Sequence, residues 1–226
     1  RHATTFPAEG VLSMVGMLAG KGYRVNHKRI RRLLRKMGHR TLYPRKYLSR
    51  AGMAEYKRPY LLRNLDIKNA NQVWSIDITY IPMAKGFMYC TAIIDVYSRR
   101  VVGWGISNSL DAQHCVDVFE EAVRTHGRPE IINSDQGTQF TSHKWTRAVE
   151  GRKIKVSMDG KGRATDNRWI ERFWRTLKYQ YIYLNPARDG LELYENIRFY
   201  TGYYNGKKRH QTTGRIPKEL YDESIQ

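Results

Sequence analysis

Cysteine is scarce in this sequence, with only Cys90 and Cys115 among 226 residues. Both cysteines lie in apolar stretches, and they lack the paired spacing of a zinc site or of a disulfide framework. A small fold held together by disulfides is therefore excluded. We expect both side chains to be buried thiols.

Long apolar runs are also missing. No stretch approaches the roughly 20 consecutive apolar residues that a helix needs to span a bilayer, and no charged-then-apolar leader with a cleavage site opens the chain. We therefore expect a soluble, cytoplasmic protein with no membrane partner, and 41% hydrophobic residues suffice for a real core. Because the sequence begins at Arg1 without a methionine, we interpret it as a fragment or as the downstream part of a longer product.

Acidic residues are rare in the first quarter of the chain. Residues 1–60 contain 15 Lys or Arg against 2 Glu, a net charge of +13, whereas the whole chain carries +19. A membrane surface could attract such a segment, but interfacial helices have little tertiary context and here a globular domain follows. A polyanion such as nucleic acid is the better partner.

The first 50 residues are predicted to form a small basic helical module. Residues 8–22 have apolar residues at helical spacing, and a second helix begins after the plausible N-cap Asn26 and stops at Gly38. The second helix has an apolar stripe of Ile30, Leu33, Leu34 and Met37. Its other face offers cations for DNA phosphates, among them Arg29, Arg32 and Lys36. A helix-turn-helix-like module and a solvated basic helix packed on the main domain both fit this pattern.

The rest of the chain is predicted to be a linker over residues 51–69 and an α/β domain over residues 70–226. Residues 73–81 alternate, with Trp74 and Ile76 on one face and Ser75 and Asp77 on the other. Two more β-rich runs follow with short connections, which suggests an antiparallel meander. Helices near 111–127, 142–150 and 163–178 alternate with short strands near 129–135 and 153–157. The order βββαβαβα predicts a mixed sheet flanked by helices, with a helical extension at the C-terminus.

Three carboxylates occupy unusual places in this pattern. Asp77 lies mid-strand on the polar face of an apolar run, Asp135 lies where a strand gives way to a loop, and Glu171 lies one turn into a helix. A buried carboxylate is costly without a cation or hydrogen bonds, and strand ends commonly carry active-site groups. Ordinary explanations also exist. Asp77 could be exposed on an edge strand, Asp135 could form a turn with Gly137, and Glu171 could pair on the surface with Arg175.

The chemistry that uses three carboxylates together is metal-assisted phosphoryl transfer. Two Mg²⁺ ions roughly 4 Å apart can activate an attacking oxygen and stabilise a leaving one, and Mn²⁺ also accepts hard oxygen ligands. Lys178 falls on the same helical face as Glu171, so its ammonium can hold a phosphate near the metals. We therefore predict Asp77, Asp135 and Glu171 as the catalytic and metal-binding residues.

The stretches around these acids resemble a known family. They read "WSIDITYI", "IIDVYSRRVVGW", "NSDQGTQF", "ATDNRWIERFWRTLK" and "YNGKKRHQTTGRIPKELY", and they look like the catalytic core of bacterial insertion-sequence transposases related to retroviral integrases. The acidic triad of that family maps onto Asp77, Asp135 and Glu171, with 35 residues between the last two. The resemblance implies a ribonuclease-H-like fold, Mg²⁺-dependent cleavage at the element ends, and strand transfer by the freed 3′-hydroxyl.

The same resemblance implies several partners and contacts. Lys178 matches a basic residue of the family that contacts element-end DNA, and we predict a DNA contact for Arg175 beside it. Asn167, just before the helix, either touches DNA or caps the helix. The resemblance also implies action at the bacterial nucleoid, a homo-oligomer on DNA, the product of an upstream reading frame as a partner, and a circular intermediate. Unlike the N-terminal domain of retroviral integrases, His27 and His39 have no cysteine nearby, so we expect no zinc.

Other functions stay open beside a DNA transposase. A DNA-binding regulator or assembly factor of the same fold would have lost catalysis, and the intact triad argues against it. A ribonuclease-H-like nuclease would fit the core, but the long basic N-terminal segment favours the transposase. A tyrosine recombinase has little support, because no set of Arg, His and Tyr stands out among the 16 tyrosines.

Overall fold

The computed structural model describes residues 9–39, 58–160 and 167–226. The chain divides into two compact units, residues 1–50 and residues 51–226, and each is described by itself. The first part of the predicted linker lies outside the described residues. No helix within the described ranges is both long and apolar enough to cross a membrane.

The N-terminal unit places two helices, α1 (Val11–Gly20) and α2 (His27–Lys36), against each other. Asn26 caps α2 as predicted, because its side chain accepts a hydrogen bond from the backbone N–H of Lys28 at 2.8 Å. The buried stripe is shorter than predicted: Ile30 is buried, but Met37 is 71% exposed because it lies beyond the last turn of α2. The predicted DNA-contacting cations Arg29, Arg32 and Lys36 are all exposed.

The C-terminal unit is built on a five-stranded mixed sheet. Its first three strands are β1 (Val73–Pro82), β2 (Phe87–Asp95) and β3 (Val101–Ser107), and they form the predicted antiparallel meander. The strands β4 (Ile131–Ser134) and β5 (Lys155–Met158) then add parallel to β1, in the order β3-β2-β1-β4-β5. The predicted α/β fold is confirmed.

Helices cover both faces of the sheet. One face is covered by α3 (Ala112–His126) and α4 (His143–Glu150), around a core that includes Trp74, Ile76, Phe119 and Trp145. The other face is covered by α5 (Arg168–Gln180) and α6 (Gly190–Gly206), with a core that includes Ile81, Phe173, Leu177 and Ile197. A 3₁₀ turn (Ile182–Leu184) joins α5 to α6, and α7 (Pro217–Ile225) follows. Because both faces of β1 are covered, even the polar side of this strand is buried at Ser75.

Residues 58–67 belong to the packed unit, although we predicted a linker over 51–69. Leu62 is buried in a small core with Val73, Val96 and Ile131. The backbone N–H of Leu61 donates to the hydroxyl of Ser157 at 3.0 Å. We predicted a linker because this stretch is polar and basic. Its buried Leu62 nevertheless packs the segment against the sheet.

Leu62→Ala tests whether this segment is structural. The substitution removes a buried side chain, so we expect the free energy of unfolding to fall by about 2–4 kcal/mol. Urea unfolding followed by tryptophan fluorescence measures the change. The matched control is Arg63→Ala, which alters the exposed neighbour and is expected to change stability by less than about 0.5 kcal/mol. Equal stabilities of the two variants would show that residues 58–67 are a linker after all.

Candidate active site

Asp77 lies in the middle of β1, on the face of the sheet that α5 covers. The indole Nε1 of Trp174 on α5 donates a hydrogen bond to Oδ2 of Asp77 at 2.9 Å. Burial is the largest influence on this carboxyl and raises its pKa to about 6, against the opposing hydrogen bonds from the Ile78 backbone and from Trp174. Repulsion from Asp135 and Glu171 raises the pKa further. Asp135 and Glu171 therefore both lie near enough to Asp77 to disfavour its charge.

Asp135 follows the last residue of β4 and is exposed. Its Oδ1 accepts a hydrogen bond from the backbone N–H of Gly137 at 2.8 Å, which is the turn that the sequence suggested. A Cβ atom at position 137 would come within 2.9 Å of that oxygen, so a larger residue there would displace the Asp135 carboxylate. The turn holds the Asp135 carboxylate at the end of β4. From there it still repels the charge of Asp77.

Glu171 lies in the first turn of α5 and is exposed. No salt bridge joins it to Arg175, or to any other side chain in the described part of the chain. The surface pair that would have explained this residue without function does not form. An acid in the first helical turn is favoured by the helix dipole, and here it is also directed close enough to raise the pKa of Asp77.

Asn167 does not cap the helix, which was one of the two roles that the sequence suggested. It precedes α5, but its side chain makes no capping hydrogen bond. Instead it is buried, accepts a short hydrogen bond from the hydroxyl of Ser75, and donates to the carbonyl of Ile76 at 3.4 Å. Asn167 attaches the start of α5 to β1, one turn before Glu171.

Lys178 lies near Asp77, as predicted, whereas Arg175 lies on the neighbouring face of α5. Nζ of Lys178 donates a hydrogen bond to the hydroxyl of Thr79 at 2.7 Å. Partial burial lowers the pKa of Lys178, and the nearby Asp77 opposes that effect. Arg175 is exposed and lines a cleft on the neighbouring face of α5.

Sequence reasoning missed a row of polar residues beneath the acids. Ser75, Asn133 and Ser157 are register partners on β1, β4 and β5. The Ser157 hydroxyl donates to Oδ1 of Asn133 at 2.7 Å, and Nδ2 of Asn133 donates to Asp159 at 2.8 Å. Asp159 follows β5 directly, just as Asp135 follows β4. The sequence contains a signal for this row, because a polar residue lies two positions before each of Asp77, Asp135 and Asp159.

The donor set suits a hard divalent cation, because carboxylate oxygens are what Mg²⁺ and Mn²⁺ prefer. Among the described residues, no group of three or more His, Cys, Asp or Glu side chains is close enough to hold one ion. What the structure does show is mutual repulsion at Asp77, which a bound cation would relieve. The charges of the site therefore fit such an ion.

Asp77→Asn tests the cost of this carboxylate. A folded-state pKa of about 6, above the ordinary 3.8, means that the group favours folding when protonated and loses that contribution as the pH rises toward 6. In metal-free buffer at pH 7.5 we expect Asp77→Asn to be more stable than the parent by about 1–3 kcal/mol. Below pH 4 the difference should vanish. Thermal unfolding across this pH range measures it.

The matched control for that experiment is Asp117→Asn, which makes the same change at an exposed position on α3. It should change stability by less than about 0.5 kcal/mol, since Asp117 is exposed and its one side-chain contact within the described residues is a surface hydrogen bond from Gln113. A parent more stable than Asp77→Asn at pH 7.5 would mean that hydrogen bonding outweighs burial at this carboxyl.

The sequence of this chain is similar to those of known proteins. Models of the integrase core domain match residues 68–164 and 152–217. The transposase for insertion sequence element IS904 from Lactococcus lactis is 33% identical over 208 residues, which cover 89% of this chain and 82% of that protein. The transposase InsF for insertion sequence IS3A from Escherichia coli is 30% identical over 219 residues, covering 94% and 76% of the two chains.

Solved structures agree on the fold. The HTLV-2 integrase catalytic core domain in complex with magnesium superposes with a TM-score of 0.56 at 19% identity, covering 67% of this chain and 96% of that one. The catalytic core domain of BIV integrase gives a TM-score of 0.56 at 18% identity, covering 69% and 96%. The chain belongs to the insertion-sequence transposases that carry an integrase core domain.

Proposed function

We propose that this transposase cleaves the ends of an insertion sequence and joins the freed 3′-hydroxyl to DNA, with Asp77, Asp135 and Glu171 as its catalytic carboxylates. The observation that carries the proposal is the meeting of three acids from separate elements, since Asp135 and Glu171 both raise the pKa of Asp77. Acids that serve only the fold have no reason to gather where they repel one another, and such repulsion is common at active sites.

The same three carboxylates would hold the divalent metal, and we propose two Mg²⁺ ions, with Mn²⁺ as a substitute. When bound, such ions activate an attacking oxygen and stabilise the charge on a leaving one. The support from this chain is the donor chemistry and the repulsion at Asp77. Each acid also has a local structural support: Asp77 accepts a hydrogen bond from Trp174 on α5, Asp135 forms the turn with Gly137, and Glu171 lies in the first turn of α5.

Lys178 is proposed to position a DNA phosphate beside the acids. Its ammonium has three N–H donors, and one of them is used by Thr79. The remaining donors can bind a phosphate oxygen, while the bond to Thr79 keeps the side chain near β1. Partial burial strengthens such a contact because less water competes for the charge.

DNA is the proposed partner of both units. In the N-terminal unit, the exposed Arg29, Arg32 and Lys36 would bind DNA phosphates without reading sequence. In the C-terminal unit, Lys178 and Arg175 would contact the element end. We further propose that the protein acts at the bacterial nucleoid as a homo-oligomer on DNA, with the product of an upstream reading frame as a second partner.

Strand joining with labelled element-end DNA tests the catalytic assignment. Asp77→Asn, Asp135→Asn and Glu171→Gln should each lower joining on the order of 10³-fold, equivalent to about 4 kcal/mol of transition-state stabilisation. Their DNA binding should remain within about twofold of the parent, and Asp117→Asn is again the isosteric control. Glu171→Gln that still joins pre-cleaved ends would contradict the assignment. A parent that binds DNA without joining it would indicate a regulator instead.

Metal binding can be measured without activity. In the parent at pH 7.5, saturating Mn²⁺ should stabilise the fold, by about 2.7 kcal/mol when its concentration is 100 times the dissociation constant. At pH 5 the stabilisation should be smaller, because protons compete for Asp77, whose pKa is raised to about 6. The three triad variants should lose the effect and Asp117→Asn should keep it. An equal Mn²⁺ shift in parent and triad variants would place the metal elsewhere.

A further inference from the structure

A second charged feature lies on the neighbouring face of α5. A cleft of about 760 Å³ opens between α5 and the segment after α6, entirely within the C-terminal unit. Six cations line it: Arg99, Arg168, Arg172, Arg175, Lys208 and Arg209. No carboxylate is among the described residues that line it. Of these six cations, Arg175 is the one for which we predicted a DNA contact from the sequence.

Within the described residues, no ion pair joins a cation of this basic cleft to an acid, although Asp95 lies near enough to Arg99 to oppose the lowering of its pKa. Elsewhere in the unit arginines pair with acids, as in Arg100 with Asp222 at 2.7 Å. In the cleft, Arg172 bonds only the neutral amide of Gln211 at 3.3 Å, and Arg209 bonds the carbonyl of Gly214 at 3.1 Å. Among the residues that the structure describes, no ion pair therefore neutralises the positive charge of the cleft.

The pKa values of two residues that line the cleft also indicate an excess of positive charge there. The pKa of His210, which also lines the cleft, is lowered to about 4, first by burial and then by Arg99, Arg172 and Lys208. The pKa of Arg99 is lowered as well, by burial and by repulsion from Arg168. A site that repels its own cations will attract an anion.

The cleft adjoins the acidic site along α5. At 3.6 residues per turn, Arg175 lies about 40° around the helix from Glu171 and about 6 Å along it, and Arg172 lies about 100° around. Lys178 lies about 20° to the other side of Glu171. A strand with one phosphate at Lys178 can thus place later phosphates at Arg175 and within the cleft.

The size and lining of the cleft favour an unpaired strand. Its volume is that of a pocket for a drug-sized ligand. The cleft is therefore too small to enclose a duplex. Tyr179 lines it with 67% of its surface exposed, and its ring is steadied by an edge contact with Tyr183 at 5.2 Å. Trp169 lies there too, between the guanidiniums of Arg99 and Arg168 at 5.9 and 5.2 Å. A basic groove beside an exposed aromatic ring is the usual means of binding single-stranded DNA.

We propose that this basic cleft binds a short unpaired stretch of the DNA strand that leaves the acidic site, with phosphates on Arg172 and Lys208 and a base on Tyr179. The proposal names a DNA subsite and so rests on the transposase function proposed above. It assigns a role to the segment from Lys208 to Thr212, which the acidic site does not use.

Binding of a fluorescent oligothymidylate by the full chain tests the proposal. The double variant Arg172→Gln with Lys208→Gln should bind at least tenfold more weakly than the parent, and the slope of log affinity against log salt should fall by about 1.4, for two lost single-strand phosphate contacts. Tyr179→Leu should weaken binding about tenfold with an unchanged slope, because stacking is not ionic.

Three controls make the result specific. Lys144→Gln with Lys218→Gln removes the same charge from exposed positions outside the cleft and should change binding by less than about twofold. A blunt duplex should bind the cleft variant nearly as well as it binds the parent. Inorganic phosphate, at the same phosphate concentration as the probe, should not displace the probe.

The proposal is overturned if the cleft variant binds oligothymidylate like the surface control, if the duplex loses as much affinity as the single strand, or if inorganic phosphate displaces the probe. Strand joining in the same preparations separates this from the proposed function. A parent that joins DNA while the cleft variant binds normally refutes the cleft alone. A cleft variant with the expected loss, in a parent that never joins, refutes the catalytic assignment alone.

Discussion

The register of α5 on β1 is the constraint on which both charged sites depend. Alternate residues of β1 on one face each have a partner on α5 or at its start: Ser75 with Asn167, Asp77 with Trp174, and Thr79 with Lys178. Between these polar contacts, Phe173 and Leu177 are buried in the core. Apolar packing alone would tolerate small shifts of a helix along a sheet, whereas three directional hydrogen bonds do not. These three hydrogen bonds fix both the rotation and the translation of α5 relative to β1. They thereby hold Glu171 near Asp77.

The same helix separates charges of opposite sign. One edge of α5 brings Glu171 near Asp77 in the middle of β1. Asp135, which also acts on Asp77, follows the parallel strand β4, and ligands commonly bind at such strand ends. The next face turns arginines toward the basic cleft. Because a helix advances by about 100° per residue, a few positions suffice to change from one environment to the other. The large positive charge of the chain is thus not only a general attraction for DNA: on α5 it has a direction relative to the acids.

Sequence patterns predicted whatever depends on local periodicity. The alternation in β1, the meander, and the cap Asn26 follow from residues near one another in the chain. Asn167 and Leu62 were misinterpreted because their partners, Ser75 and Ile131, lie far away in sequence. The triad could be suggested from isolated acids and a family resemblance, but its mutual repulsion is a property of the fold. The basic cleft was missed for the same reason, since Arg99, Arg172 and Lys208 meet only through tertiary packing.

Asp77 shows why the acidic site is more than a by-product of folding. A strand covered on both faces would be more stable with an apolar or neutral side chain at this position, because the ionised carboxylate is penalised by burial and by two neighbouring acids. Trp174 offsets only part of that penalty. Lys178 is the nearest obvious counter-charge, yet its ammonium is bonded to Thr79 and its own charge is disfavoured by burial. A cation bound among the acids would relieve this penalty, so the site is electrostatically strained at the place where the chemistry is proposed to occur.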